Sequence, residues 1–211
     1  MRVLIAGSHG KIGQRLTQQL AERGHEAIAM IRKEEQASGM AALGGSPLIA
    51  DLSGDVAHTV RNVDAVVFTA GAGPGSGPGP KQVIDRGGAE KLIEAAEAAR
   101  VQRYVMVSAM RANRPEVADG DFRKYLEAKG QADDRLARSA LDWTIIRPGG
   151  LTEDDPTGRV RVASELAESG QIPRADVAAV IVGCLEMNTT IGKAFDLVSG
   201  DTPITTALES L

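Results

Sequence analysis

The segment Val3-Leu4-Ile5-Ala6-Gly7-Ser8-His9-Gly10-Lys11-Ile12-Gly13 constrains this chain more than any other. A short apolar run stops at a glycine, two more glycines follow at three-residue steps, and a helical pattern then begins. That succession reads as a strand, a tight turn and a helix start. Each glycine suits a position that a side chain would obstruct: Gly7 a sharp turn, Gly10 a close backbone approach to phosphate, Gly13 the packing of helix on strand. Free backbone N–H groups and the positive end of the helix dipole converge at such a junction, which suits a pyrophosphate. The spacing is G-x-x-G-x-x-G, not G-x-G-x-x-G. Its place between a strand and an amphipathic helix points to dinucleotide binding, with an ordinary strand–helix turn as the alternative.

Short apolar strands alternate with helical segments beyond this turn. Strands are expected over Arg2–Ala6, Glu26–Ile31, Pro47–Ala50, Asp64–Thr69, Arg103–Ser108 and Asp142–Arg147. Helices are expected over Lys11–Arg23, with Ile12, Leu16 and Leu20 on one face, over Lys33–Leu43, Lys81–Arg100 and Asp121–Ser139, and from a cap at Asp51 or Ser53 to about Arg61. The run Gly71–Pro80 is too rich in glycine and proline to join a core and is expected to be a mobile surface loop. After Gly150 the pattern loosens to a short edge strand over Arg159–Ala163, an apolar helix over Asp176–Glu186, a strand over Ala194–Ser199 and a terminal helix opened by Pro203. The alternation predicts an α/β fold: a doubly wound Rossmann-type parallel sheet with helices on both faces and a small C-terminal substrate-side extension. A single domain over 1–211 is expected, with 150–175 and 187–211 as substrate-side elements.

Composition narrows the partners. The net charge of −4 gives no electrostatic footprint for nucleic acid. No apolar run approaches the ~18 residues that a membrane span requires. Met1-Arg2 leads directly into the first strand, so no secretory leader is expected. The single cysteine, Cys184, lies in an apolar helical pattern and reads as a buried thiol, in keeping with a reducing cytoplasm. His9, His25 and His58 lack metal-ligand spacing, so no metal is expected. A monomer or a homodimer is expected.

Three further features carry chemistry. Arg32-Lys33 follows the second strand, where nicotinamide-binding folds meet the adenosine ribose. An arginine there favours a 2′-phosphate, hence NADP over NAD; a solvated charge pair is the alternative. Tyr125 and Lys129, four apart, share a helix face. An ammonium near a phenol lowers its pKa from about 10, which suits proton delivery during carbonyl reduction. Ser108 and Pro148 both end strands on the edge that carries Gly7 and Gly71. Ser108 is placed to hydrogen-bond a substrate oxygen or to cap a turn. Pro148-Gly149 is placed to present backbone to a nicotinamide or to end a strand.

Together, the Gly7–Gly13 turn, Met30-Ile31-Arg32, Ala50-Asp51-Leu52, Phe68-Thr69-Ala70-Gly71, Met106-Val107-Ser108-Ala109, Tyr125 with Lys129, and Ile146-Arg147-Pro148-Gly149-Gly150 resemble the short-chain dehydrogenase/reductase superfamily. The likeness is to its atypical NAD(P)H-binding branch, related to bacterial NAD-dependent epimerase/dehydratase-like proteins, and it covers nearly the whole chain. It implies a cofactor held by Gly7, Ser8, His9, Gly10, Lys11, Ile12 and Gly13, with Arg32 at the ribose. By the same likeness Asp51 and Leu52 flank the adenine, Ala70 and Gly71 line its path, and Lys129 and Pro148 meet the nicotinamide end. The implied catalytic residues are Tyr125, Lys129 and Ser108. Ser108 is followed by Ala109-Met110, so the run of hydroxyls found in many epimerase or dehydratase relatives is missing. The short chain after Gly150 implies a small or flat substrate. The expected function is an NADP-dependent oxidoreductase acting on a small carbonyl compound. A non-catalytic NADP-binding redox sensor and a sugar-derivative epimerase/dehydratase are the alternatives.

Overall fold

Successive residues of a strand face opposite sides of its sheet. In β1 (Arg2–Ala6) Val3, Leu4, Ile5 and Ala6 are all fully buried, so both faces of this strand are covered. Val3 and Ile5 join a cluster with Ile12, Leu16 and Leu20 of α1 (Lys11–Glu22); Leu4 and Ala6 join another on the opposite face. The computed structural model describes residues 1–71 and 87–211. The glycine- and proline-rich segment after Gly71 and the start of the helix expected from Lys81 lie outside the described residues.

The remaining strands of the parallel sheet are β2 (Glu26–Ile31), β3 (Ser46–Ile49), β4 (Ala65–Phe68), β5 (Arg103–Val107), β6 (Asp142–Pro148) and β10 (Lys193–Ser199). They stand in the order β3-β2-β1-β4-β5-β6-β10. Beyond β10, β8 (Arg159–Ala163) and then β11 (Thr202–Pro203) add antiparallel. The expected edge strand Arg159–Ala163 is therefore an interior one, because Thr202 and Pro203 pair with Val160 and Arg159. A separate parallel pair, β7 (Gly150–Thr152) and β9 (Gln171–Pro173), was not foreseen.

Helices α2 (Ala37–Ala42), α3 (Ala89–Ala98), α4 (Gly120–Ala137), α5 (Arg174–Glu186) and α6 (Ile204–Glu209) complete the fold. α1 and α5 cover one face of the sheet, α3 and α4 the other. α5 buries Val177, Val180, Ile181, Val182, Cys184 and Leu185, and burial pushes the Cys184 thiol up to about 12. The helix expected to run to Arg61 does not form; a single 3-10 turn, Ala57–Val60, takes its place. The Asp51 carboxylate accepts the Ser53 N–H and hydroxyl, and Asp55 accepts the Ala57 N–H. These local bonds offer the backbone an alternative to a helix. The segment expected to be helical over Lys33–Leu43 begins as a 3-10 turn, Glu34–Gln36, before α2. Among the described residues no helix is long and apolar enough to cross a membrane.

Gly7 has φ +90°, and a Cβ there would lie 2.6 Å from the Ala70 nitrogen; at Gly13 a Cβ would lie 2.6 Å from the Ser8 Cα. Gly39, in α2, has open space around it. Gly13→Ala is expected to lower stability by at least about 2 kcal/mol, because a rigid backbone contact must open. Gly39→Ala is expected to be neutral or stabilising by up to about 1 kcal/mol. Urea denaturation of the two variants checks the contrast.

Candidate cofactor cleft and active site

β1 is flanked by β2 on one side and β4 on the other, so the strand order reverses at its carboxyl end. Ligands of open α/β sheets bind in the crevice at that point. Here the crevice is a cleft of about 270 Å³. Its walls are Gly7, His9 and Gly10 from the first turn, Met30 to Arg32 and Gln36 after β2, Ala50 to Leu52 after β3, and Thr69 to Gly71 after β4.

The first turn is built by short contacts. The Gly10 N–H donates to the Gly7 carbonyl at 2.9 Å and Gly10 caps α1 in an extended conformation. Among the described residues no side chain caps α1, and its first turn carries no acidic group. Its leading N–H groups are thus left for an anion at the positive end of the helix dipole. The side chains of the turn are engaged elsewhere. Ser8, fully buried, donates its hydroxyl to the Met30 carbonyl at 2.6 Å and ties the turn to β2. Ile12 packs in the core, and Lys11 Nζ lies 3.0 Å from Glu153. Of the turn's side chains, His9 faces the cleft.

At the far end of the cleft stand Arg32 and Gln36. The Gln36 side-chain oxygen accepts the N–H groups of Arg32 and Lys33 at 3.0 and 3.2 Å, which fixes the backbone from which Arg32 projects. Asp51 lies across from them. Its bonds from the Ser53 N–H and hydroxyl, with the charges of Arg32 and Lys91 adding, hold its carboxyl below the usual range. A full carboxylate beside Leu52 suits an amino or hydroxyl donor on a nucleoside.

The third group lies along the same sheet edge. β4 and β5 pair Phe68 with Met106, so Ala70 and Ser108 each stand two residues past a paired position. Lys129 is 4% exposed; its Nζ donates to the Val107 carbonyl at 3.3 Å and lies 6.0 Å from the Tyr125 ring centroid. Asp133, one turn further along α4, is 2% exposed and accepts the Arg147 Nε at 2.9 Å. Burial raises the Asp133 carboxyl, against the opposing pull of Arg147, Ser108 and Lys129. Ser108 Oγ and Asp133 Oδ1 are both buried, and neither has a hydrogen-bond partner among the described residues. Lys129 thus links the Tyr125 ring to the end of β5 that leads into Ser108, and Asp133, paired with Arg147, lies one turn further along α4. Pro148 closes β6 in the same region, its carbonyl accepting the Met110 N–H at 3.0 Å.

The small sheet reaches back to the first turn. Glu153, just past β7, meets Lys11 at 3.0 Å, Arg15 at 2.8 Å and Arg174 at 2.7 Å. These cations, the Lys11 hydrogen bond foremost, hold the Glu153 carboxyl below the usual range.

The sequence profile of a family described as NAD(P)H-binding matches residues 7–188, from Gly7 to the end of α5 and just beyond. The chain belongs to this NAD(P)H-binding family. A Bacillus subtilis protein, YhfK, named an uncharacterised sugar epimerase, is 41% identical over the whole of both chains. A solved structure from Bacillus halodurans, provisionally titled an NAD-dependent epimerase/dehydratase, is 42% identical, covers all of both chains and superposes with a TM-score of 0.97. The oxidoreductase ylbE from Lactococcus lactis is 32% identical, covers all of this chain and 96% of its own, and has a TM-score of 0.88. Membership of the NAD(P)H-binding family supports a nicotinamide coenzyme, and the uncapped α1 and the glycine contacts of the first turn fit a pyrophosphate.

Sequence reasoning missed Asp133, Gln36 and Glu153. Asp133 was within reach, since Tyr125, Lys129 and Asp133 continue one four-residue step along α4. Glu153 was not, because its partners Lys11 and Arg15 lie far away in the chain. Asp133→Leu removes the hydrogen-bonded partner of the buried Arg147 charge, and is expected to lower stability by about 3–5 kcal/mol. Adding Arg147→Met should recover most of that loss. Chemical denaturation of the single and double variants measures both.

Proposed function

We propose that this chain is an NADP-dependent oxidoreductase of the short-chain dehydrogenase/reductase type that reduces a small carbonyl compound. The observation that carries this reading is the position of Lys129, whose ammonium lies between the Tyr125 ring and the backbone that leads into Ser108. When bound, the dihydronicotinamide supplies a hydride. The Tyr125 hydroxyl gives its proton to the substrate oxygen. Lys129 favours the phenolate left behind, because an adjacent positive charge stabilises the ionised form. The Ser108 hydroxyl donates to the same oxygen and orients it. In this reading the whole chain is one NAD(P)-binding domain, Arg32 meets the 2′-phosphate, and residues 150–175 wall the substrate side. The names of two relatives favour a second reading, isomerisation or dehydration of a sugar derivative. That chemistry restores its coenzyme in each turnover, whereas the first consumes NADPH.

Two variants test the proposal. Tyr125→Phe is expected to slow net NADPH oxidation by about 10²–10⁴-fold while the NADPH Kd stays within about twofold. Undiminished turnover would take Tyr125 out of the mechanism. Arg32→Asp is expected to weaken NADPH binding by about ten- to a hundredfold and to favour NADH. Equal affinity of the parent protein for both coenzymes, measured by titration calorimetry, would remove Arg32 from that role.

A further inference from the structure

The chain has six aromatic residues: three Phe, two Tyr and one Trp. Phe68, Tyr104 and Phe195 are fully buried in β4, β5 and β10, and Trp143 lies half-buried on β6. The other two, Phe122 and Tyr125, sit three apart on the first turns of α4. Their rings are nearly parallel, at 21°, with centroids 6.0 Å apart, an offset-stacked arrangement. Phe122 is 54% exposed, and Val117, just before α4, is 51% exposed. Apolar bulk on the solvent side of a helix start adds little to the fold, and phenylalanine is a poorer helix former than leucine or lysine.

The place of this exposed ring matters more than its exposure. Phe122, Tyr125 and Lys129 form a row along α4 that runs from solvent to the buried ammonium. The Phe122 ring stands 6.0 Å from the Tyr125 ring, next to the phenol-bearing residue. Charged recognition is less available there. Arg111 donates to Ser169, Arg114 is paired with Glu165, and Arg123 with Glu127. Among the described residues these cations have partners, as does Lys124 with Asp121, while Phe122 leaves half of its surface open to solvent.

We propose that Phe122 and Tyr125 form a stacking shelf for a planar, conjugated ring carbonyl compound, and that Phe122 sets this preference. The inference rests on the reading of Tyr125 as the proton donor, and it names the substrate class of that site. Stacking between rings selects for flatness, since a puckered ring presents hydrogens instead of a continuous face.

The test is binding, measured without turnover. Lumiflavin, a flat three-ring probe without phosphate, is titrated into protein saturated with NADP+, and quenching of its fluorescence is followed. Saturable quenching is expected, reversed by 1,4-naphthoquinone and not by cyclohexanone at the same concentration. Phe122→Ala is expected to raise the lumiflavin Kd about tenfold, and Phe122→Trp to keep it within about twofold. Melting temperature and NADPH affinity should be unchanged in both. Absence of saturable quenching, equal displacement by cyclohexanone, or wild-type affinity in Phe122→Ala would overturn the shelf. So would a Phe122→Ala effect on coenzyme affinity or on oligomeric state, which would give the ring to another occupant. Tyr125→Phe keeps a ring in place and should keep lumiflavin binding. If that variant binds the probe and also retains full turnover, the catalytic reading fails and the shelf stands.

Discussion

The structure depends on a contact that only glycine permits. α1 lies against the turn after β1 so closely that Gly13 faces the Gly7 carbonyl and the Ser8 backbone without room for a Cβ. Gly7 is pressed in turn against the Thr69–Ala70 backbone after β4. Three backbone segments therefore meet with no side chains between them, and the unpaired N–H groups of α1 open onto the point where the strand order reverses. Ser8 strengthens the arrangement from below, because its hydroxyl ties the turn to the β2 backbone. The floor of the cleft at Gly7 and Gly10 is therefore main chain.

The polar groups beyond the cleft are held in a different way. Tyr125, Lys129 and Asp133 repeat at four-residue steps along α4, which is anchored by Leu126, Ala132 and Leu136. Arg147 reaches Asp133 from β6, and Ser108 stands at the end of β5. The pair Asp133–Arg147 pins the helix to the strand by a largely buried, hydrogen-bonded charge contact. Lys129 lies one helical turn from Tyr125 and one from Asp133, so the buried ammonium comes between the phenol-bearing and carboxyl-bearing residues along α4.

Much of this could be read along the chain. The glycine steps marked the first turn, and four-residue spacing put Tyr125 and Lys129 on one face, because both signals are local. The alternation of strands and helices gave the parallel sheet, since strands covered on both faces leave continuous apolar runs. The small sheet escaped notice because β7 and β9 are three residues each and pair across an intervening strand. The segment after Asp51 misled for another reason: a capping residue is also a turn former, and Asp51 and Asp55 spend their carboxylates on nearby N–H groups. Side-chain commitments of the first turn were equally illegible. Nothing in the order of residues shows that Ser8 turns inward or that Lys11 leans away toward Glu153.

Glu153 gathers Lys11, Arg15 and Arg174 at a surface open to solvent, so the strip from β7 to β9, which packs into the core through Ile172, is tied to the first turn by charge as well. Counter-ions weaken such a tie over a distance of about 8 Å at physiological ionic strength. The salinity of the surroundings therefore acts on the charged tie between Glu153 and the first turn, and leaves the apolar anchor at Ile172 untouched.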